Sequence, residues 1–330
     1  MRVLIAGGVF RLNHAERMNI QRAPEEVLAD GLSGLGVDVT TIGLKKLYEA
    51  ASSTYDIVHV HHMSKMAVAM ALRSPRRLVF THHASTYATD MTRRSGEEIV
   101  WRKAAAIVAL SQREATDKIL RFPFIRERLH LIPNAVPPLG EAVIHRTLLP
   151  REEFRIAFVG KLNANKRPEL AIQALEGLAE NFTLEFTYHE NLLEPQMRTL
   201  ADSLGVSHRV RFSGQAHGDD LEQRYQAANL LVLTSEFEAL PSVIFEALMT
   251  GCPVVATDVG GIAEQVGDAG ILVPQDVSDY APYIRRAVLE YPRLSSAALA
   301  RGQALRVSHS AERMARAHLK VYQERLEAIG

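Results

Sequence analysis

Glu238-Ala-Leu-Pro-Ser-Val-Ile-Phe-Glu246-Ala-Leu-Met-Thr-Gly-Cys-Pro-Val-Val-Ala-Thr-Asp-Val-Gly-Gly261 is the stretch that decides the fold. Before it stands an apolar run, Leu230 to Leu233, and inside it a second, Val254 to Thr257, each short enough for a buried strand. Between them Pro241 suits the first position of a helix running to about Thr250. Two fully apolar strands joined through a helix form the unit of a parallel sheet covered on both faces.

Outward from this unit the same rhythm repeats. Phe154 to Gly160, Leu184 to Thr187, Arg209 to Phe212 and Ile271 to Val273 read as further strands of the second half. In the first half the strands fall at Val3 to Ala6, Val37 to Ile42, Ile57 to His61, Leu78 to Thr81, Ala106 to Leu110 and Leu129 to Ile132. Pro137, Pro138, Gly140 and Pro150 punctuate the stretch between the halves, which sets two domains, 1–140 and 141–330. Beyond Pro274 the strands stop, and Asp279 to Tyr291, Leu294 to Arg306 and Ala311 to Ala328 read as a helical tail. The expected fold class is α/β, with two Rossmann-like, doubly wound domains.

Bulk composition narrows the function. A chain of 330 residues, 47% apolar, has material for two cores. Lys+Arg and Asp+Glu both number 38, so no global basic excess points to nucleic acid or an anionic membrane. The one cysteine, Cys252, has no partner for an internal disulfide. Gly7, Gly8 and Arg11 break the first apolar run before a signal-peptide core forms, and Ala104 to Leu110 falls far short of a membrane span. A cytoplasmic location follows as the expectation, with any membrane contact peripheral.

Ligands of open α/β sheets bind at the carboxyl ends of the strands, and three loops of the second half carry chemistry there. In Gly160-Lys161-Leu162-Asn163-Ala164-Asn165-Lys166-Arg167, two lysines straddle a strand-to-helix turn and can converge on a diphosphate. In the 238–246 segment, Ser242 and Val243 offer helix-start amides to an anion. Glu238 and Glu246 there offer carboxylates to paired hydroxyls, a ribose at one end and a hexose at the other. A general acid/base pair is the competing reading, although glycosidase pairs face each other across a bond. In Val259-Gly260-Gly261, the missing side chains admit close backbone approach, of a ligand or of a tight turn.

These residues resemble glycosyltransferase family 4. The 238–261 segment is similar, landmark by landmark, to the family's E-x7-E region with its following Gly-Pro-Val-Val-Ala and Gly-Gly. Val159 to Lys166 resembles its phosphate loop, Leu131 to Val136 its interdomain marker, and Asp56 to His61 its third strand. The resemblance implies the GT-B fold, two such domains facing across a cleft, and a retaining glycosyltransferase that moves a hexose from a nucleotide diphosphate sugar. The acceptor, sugar-containing or a small molecule, stays unnamed. Implied donor-binding positions are Gly8, Lys161, Lys166, Glu238, Leu240, Pro241, Ser242 and Glu246, with Glu238 on the transferred sugar, Glu246 on the ribose and the lysines on the diphosphate. His83, Glu238 and Lys166 are the implied catalytic set, His83 contacting the donor sugar near the reacting carbon, with His82 the neighbouring alternative. No protein nucleophile, cofactor or metal is implied, since lysines and helix dipoles neutralise the leaving group.

Three departures stand out. The family's usual Arg is replaced by Lys161, its glycine-rich donor loop by Thr187-Tyr188-His189-Glu190, and Gly7 and Gly8 lie directly on the first strand. The polar loop Phe10 to Arg17 that follows them is expected to face the acceptor. Rival readings are a GT-B nucleotide-sugar epimerase, a binding module without catalysis, and a metal-dependent hydrolase built on His59, His61 and His83, with His62 and His82 close by.

Overall fold

The computed structural model describes residues 1–13, 17, 23–45, 54–83, 91–135 and 152–329, with backbone only for 91–95. The proline-punctuated stretch between the halves and part of the expected acceptor loop, residues 14–16, lie outside the described residues. Two compact units form, one from Met1–Pro137 with His309–Gly330, the other from Pro138–Ser308.

The first unit holds β1 (Arg2–Gly7), β2 (Asp38–Gly43), β3 (Ile57–His61), β4 (Leu78–Thr81), β5 (Ala106–Ala109) and β6 (Leu129–Leu131), in the order β2-β1-β3-β4-β5-β6. Every pairing in it is parallel. β3, β4 and β5 are buried at every residue, including His59, His61 and Thr81, as central strands covered on both faces are. One core cluster packs Val3, Ile5, Val79 and Val108 on one face, and another packs Leu4, Val58, Phe80 and Trp101 on the other. Strand order reverses between β1 and β3, which sets the crevice of this unit at their carboxyl ends.

The second unit repeats the plan with β7 (Phe154–Val159), β8 (Phe182–Thr187), β9 (Val210–Phe212), β10 (Leu230–Leu233), β11 (Val254–Thr257) and β12 (Gly270–Val273). Their order is β12-β11-β10-β7-β8-β9, also parallel throughout, with the reversal between β7 and β10. The helix Ser242–Met249 follows β10 and is crossed by the helix Tyr291–Ser308. Gly302 makes that crossing: a Cβ there would sit 2.0 Å from the carbonyl oxygen of Leu248.

All twelve expected strands form, within a residue or two of their expected ends. One expectation is corrected: the last helix, Ala311–Glu327, belongs to the first unit rather than to a domain running from 141 to 330. Its Met314, Ala315, Val321 and Tyr322 enter the β1–β5 core cluster, and Tyr322 hydrogen-bonds His59 of β3 at 2.6 Å. Ser310 caps it by accepting from the Arg313 amide.

Gly31, in the helix Pro24–Gly34, is where the terminal helix comes closest, because a Cβ there would lie 2.8 Å from the Ala315 Cβ. Gly34 in the same helix meets nothing within 4 Å. Both substitutions to Ala gain about 0.5–1 kcal/mol of helix propensity, but at Gly31 overpacking costs about 1–3 kcal/mol. Gly34→Ala should therefore raise the thermal unfolding midpoint and Gly31→Ala should lower it; equal effects would show that the helix does not press on Gly31.

Candidate functional site

The crevice of the second unit lies where the loops after β7 and β10 meet. Gly160 leaves β7 with φ +151°, a conformation that favours glycine, and the chain folds back through Asn163, whose side chain accepts from the Lys166 amide at 3.2 Å. Asn165 then holds the β10 loop on both edges. Its Nδ2 donates to the Phe237 carbonyl at 3.1 Å, its Oδ1 accepts from the Phe237 amide at 3.2 Å, and its own carbonyl accepts from the Glu236 amide at 2.8 Å. Thr234 adds a hydroxyl bond to the Lys166 carbonyl at 2.6 Å, while Arg167 returns its Nε to the Thr234 carbonyl at 2.7 Å. Arg167 is left-handed, φ +45°, a strain of about 1–2 kcal/mol that these bonds hold in place.

The clasp sets the charged side chains. The Lys166 ammonium donates to the Glu238 carboxylate, both largely shielded from solvent, so two expected site residues from loops 72 positions apart meet directly. Lys161, on the outer edge and 46% exposed, pairs instead with Glu190 at 2.8 Å. That ion pair lowers the Glu190 carboxyl from its ordinary range. Thr187 to Glu190, the segment standing where the family has glycines, packs on the same loop: the Gly160 amide donates to Thr187 and the Leu162 amide to Glu190.

Pro241 is the extended residue before the helix rather than its first member, and the ladder begins with the Ile244 amide donating to the Pro241 carbonyl at 3.3 Å. Ser242 and Val243 thus precede that ladder at the mouth, beside a half-buried Leu240. The Gly260 expectation divides. A Cβ at Gly260, φ +53°, would lie 1.9 Å from the Glu238 carbonyl oxygen, so the close approach it permits is of backbone. The Gly261 amide donates to the Ala239 carbonyl at 2.8 Å, completing that support.

Glu246 is fully buried. Oε2 accepts from the Tyr225 hydroxyl at 2.8 Å, and Oε1 has no hydrogen-bond partner among the described residues. A ligand reaches this carboxylate only if neighbouring side chains move.

In the first unit, His83 meets His61, Nε2 to Nδ1 at 2.8 Å, and its ring lies tilted against His62 with centroids 4.8 Å apart. Gly8 packs beside His62, and a Cβ on it would sit 3.8 Å from that ring. His82 turns away and meets Trp101 edge-on at 5.5 Å. His59 is held at both nitrogens, by Tyr322 at 2.6 Å and Thr81 at 2.7 Å. Burial pushes His83 down to about 3, with the His62 charge adding to it, and holds His61 and His59 well below the imidazole range. Glu25 reaches this group from the helix Pro24–Gly34. Asn165, Arg167, Tyr225 and Glu25 are the participants that sequence reasoning missed. Only Glu25 carried a local signal, as one of two acids just after Pro24 at a helix start.

Burial raises the Glu246 carboxyl from 4.5 to about 7, and the bonds from Tyr225 and Ser242 offset only part of that. Between those values the folded chain keeps a proton that the unfolded chain has released, so stability falls as pH rises through the window. Glu246→Gln has no such proton. Its unfolding midpoint should gain on wild type between pH 5 and pH 8, and a gap constant with pH would mean that Glu246 is ionised throughout.

Comparison with known proteins bears on both halves. Residues 141–298 match the Glycosyl transferases group 1 family, and residues 18–138 match Glycosyltransferase Family 4. A D-inositol 3-phosphate glycosyltransferase of Salinispora arenicola is 32% identical over 255 residues, 69% of this chain and 56% of the relative. One from Mycolicibacterium smegmatis is 34% identical over 162 residues, 47% of this chain and 36% of its own length. The chain spans about half the length of the curated relatives it matches. Among solved structures, a sucrose-phosphate synthase from Thermosynechococcus elongatus superposes with TM-score 0.79 at 18% identity over all of both chains. Anabaena HepE in complex with UDP superposes at 0.73 and 19%, over 100% of this chain and 99% of that one. No described helix is long and apolar enough to cross a membrane. With both halves matched and two parallel six-stranded sheets of GT-B type, the chain belongs to the group 1 glycosyltransferases, its first half of the family 4 kind.

Proposed function

We propose that the protein is a retaining glycosyltransferase that moves a hexose from a nucleoside diphosphate sugar to a hydroxyl of a sugar-containing or small-molecule acceptor. The observation that carries this reading is the Lys166–Glu238 pair, clasped by Asn165 between the β7 and β10 loops at the strand-order reversal of the second unit. A cation and a carboxylate side by side suit a phosphate and the sugar hydroxyls attached to it. In this reading the donor diphosphate takes Lys166 and Lys161 from their carboxylates, Glu238 turns to the transferred sugar, and the helix mouth at Leu240, Pro241 and Ser242 adds its dipole. Glu246 grips the ribose through its unbonded Oε1, and Gly8 and His83 serve the transferred sugar. Transfer runs on one face of the sugar, the departing phosphate taking the acceptor proton, so that neither a protein nucleophile nor a divalent ion is needed.

HepE was solved with UDP and with UDP-glucose, which makes these the first probes for this chain. A cognate donor at about 100 times its Kd should stabilise the protein by about 2.7 kcal/mol in thermal melting. Lys166→Ala should lower kcat by roughly 100-fold, by removing charge where the leaving group gains it, while Lys161→Arg keeps activity. The assignment is wrong if Lys161→Arg is as damaging as Lys166→Ala. Product NMR reads the anomeric configuration, and an inverted product would overturn the retaining course.

His83→Ala should damage turnover far more than binding of a nucleoside diphosphate without sugar, because the second unit alone holds the nucleotide. His82, packed on Trp101, is the control. Loss of transfer in His82→Ala with retention in His83→Ala would reverse the two assignments.

A further inference from the structure

Glu25, His61 and His83 bring one carboxylate oxygen and two ring nitrogens of the first unit within 4.8 Å of one another. They arrive from three elements: the first turn of the helix Pro24–Gly34, the last residue of β3, and the loop just past β4. Strand pairing of His61 with Thr81 fixes the two histidine backbones relative to each other. Glu25 enters through space that Gly7 leaves open, since a Cβ on Gly7 would lie 2.6 Å from its Cγ and 2.8 Å from Oε1.

Burial makes the arrangement demanding. Glu25 is 3% exposed, and among the described residues Oε1 meets the Val9 amide at 3.4 Å and His62 Nε2 at 3.7 Å, long distances for a buried carboxylate. His61 is also buried; its Nδ1 faces His83, and its Nε2 has no hydrogen-bond partner among the described residues. The other histidines of this strand-end group are occupied elsewhere, His59 by Tyr322 and Thr81, and His82 against Trp101.

We propose that Glu25, His61 and His83 form a site for a divalent transition ion of the zinc class, with His62 Nε2 at hand as a further ligand. Two imidazoles and one carboxylate make a ligand set that such ions accept, with a position left open. An ion there would replace the proton shared by His61 and His83 and give the Glu25 carboxylate a full counter-charge. The ion is no part of the transfer chemistry proposed above. The site stands on its own geometry, and only its consequence rests on that proposal: a bound ion withholds His83 from the transferred sugar and so inhibits transfer.

Calorimetric titration of Zn2+ into the chelator-treated, tag-free full chain tests the site without any donor. One ion per chain is expected, with affinity at least about 10-fold weaker in His61→Ala and in Glu25→Gln and unchanged in His82→Ala. Binding well below one ion per chain, or binding that neither variant weakens, would overturn the site. Melting curves without metal establish that each variant is folded; should one fail, visible absorption of Co2+ bound to the wild-type chain decides, an aqueous-ion spectrum overturning the site. A transfer assay separates the two layers: stoichiometric Zn2+ that leaves transfer unaffected keeps the site and removes His83 from transfer.

Discussion

Everything in the second unit's crevice depends on the backbone of Glu238 lying against Gly260, closer than any side chain would allow. The β10 loop is pinned there from one side, and from the other Asn165 grips Phe237 at both its amide and its carbonyl. A loop held on both edges by strand-end neighbours keeps one conformation before any ligand arrives. The fixed part is the loop backbone; the Lys166 and Lys161 ammonium groups are each engaged with a carboxylate.

The same fixing explains how so many charges share one crevice. Lys166 with Glu238 and Lys161 with Glu190 are local ion pairs. The two pairs are not equivalent. The outer one is half-exposed and worth about 0–1 kcal/mol, easily exchanged for a phosphate oxygen. The inner one is shielded, so giving up Glu238 has to be met by a stronger anion in the same place. On the proposed assignment, a diphosphate linked to a sugar would offer the anion to Lys166 and hydroxyls to Glu238 at once, a double exchange that inorganic phosphate cannot make.

Much of this was legible in the sequence because central parallel strands such as β5, β10 and β11 are buried on both faces and leave short apolar runs, from which the rhythm of the outer strands follows. The E-x7-E segment was equally plain, since its landmarks are local. What escaped were relations between distant positions. Asn165 and Phe237 are 72 residues apart, and nothing about an asparagine in a loop says which backbone it will clasp. The apolar stripe of the helix Ala311–Glu327 announces a buried face without naming the sheet that covers it, so the helix read as a tail of the unit it follows. Gly260 stayed open between ligand approach and a tight turn, because a missing Cβ looks the same whether a ligand or a carbonyl fills the space.

The histidines show the limit at single-residue scale. Period-two geometry put His59 and His61 on one face of β3, and their ring centroids are indeed 4.2 Å apart. Which of them is free for chemistry was decided by neighbours from elsewhere: Tyr322 of the terminal helix and Thr81 of β4 take both nitrogens of His59. One position further along β4's exit, His82 and His83 part to opposite surroundings, an aromatic wall at Trp101 and the polar group around His61. The terminal helix therefore does more than close the core of the first unit. By occupying His59 it leaves His61 as the strand's one imidazole directed toward His83, and so the last residues of the chain shape the site that its first hundred residues build.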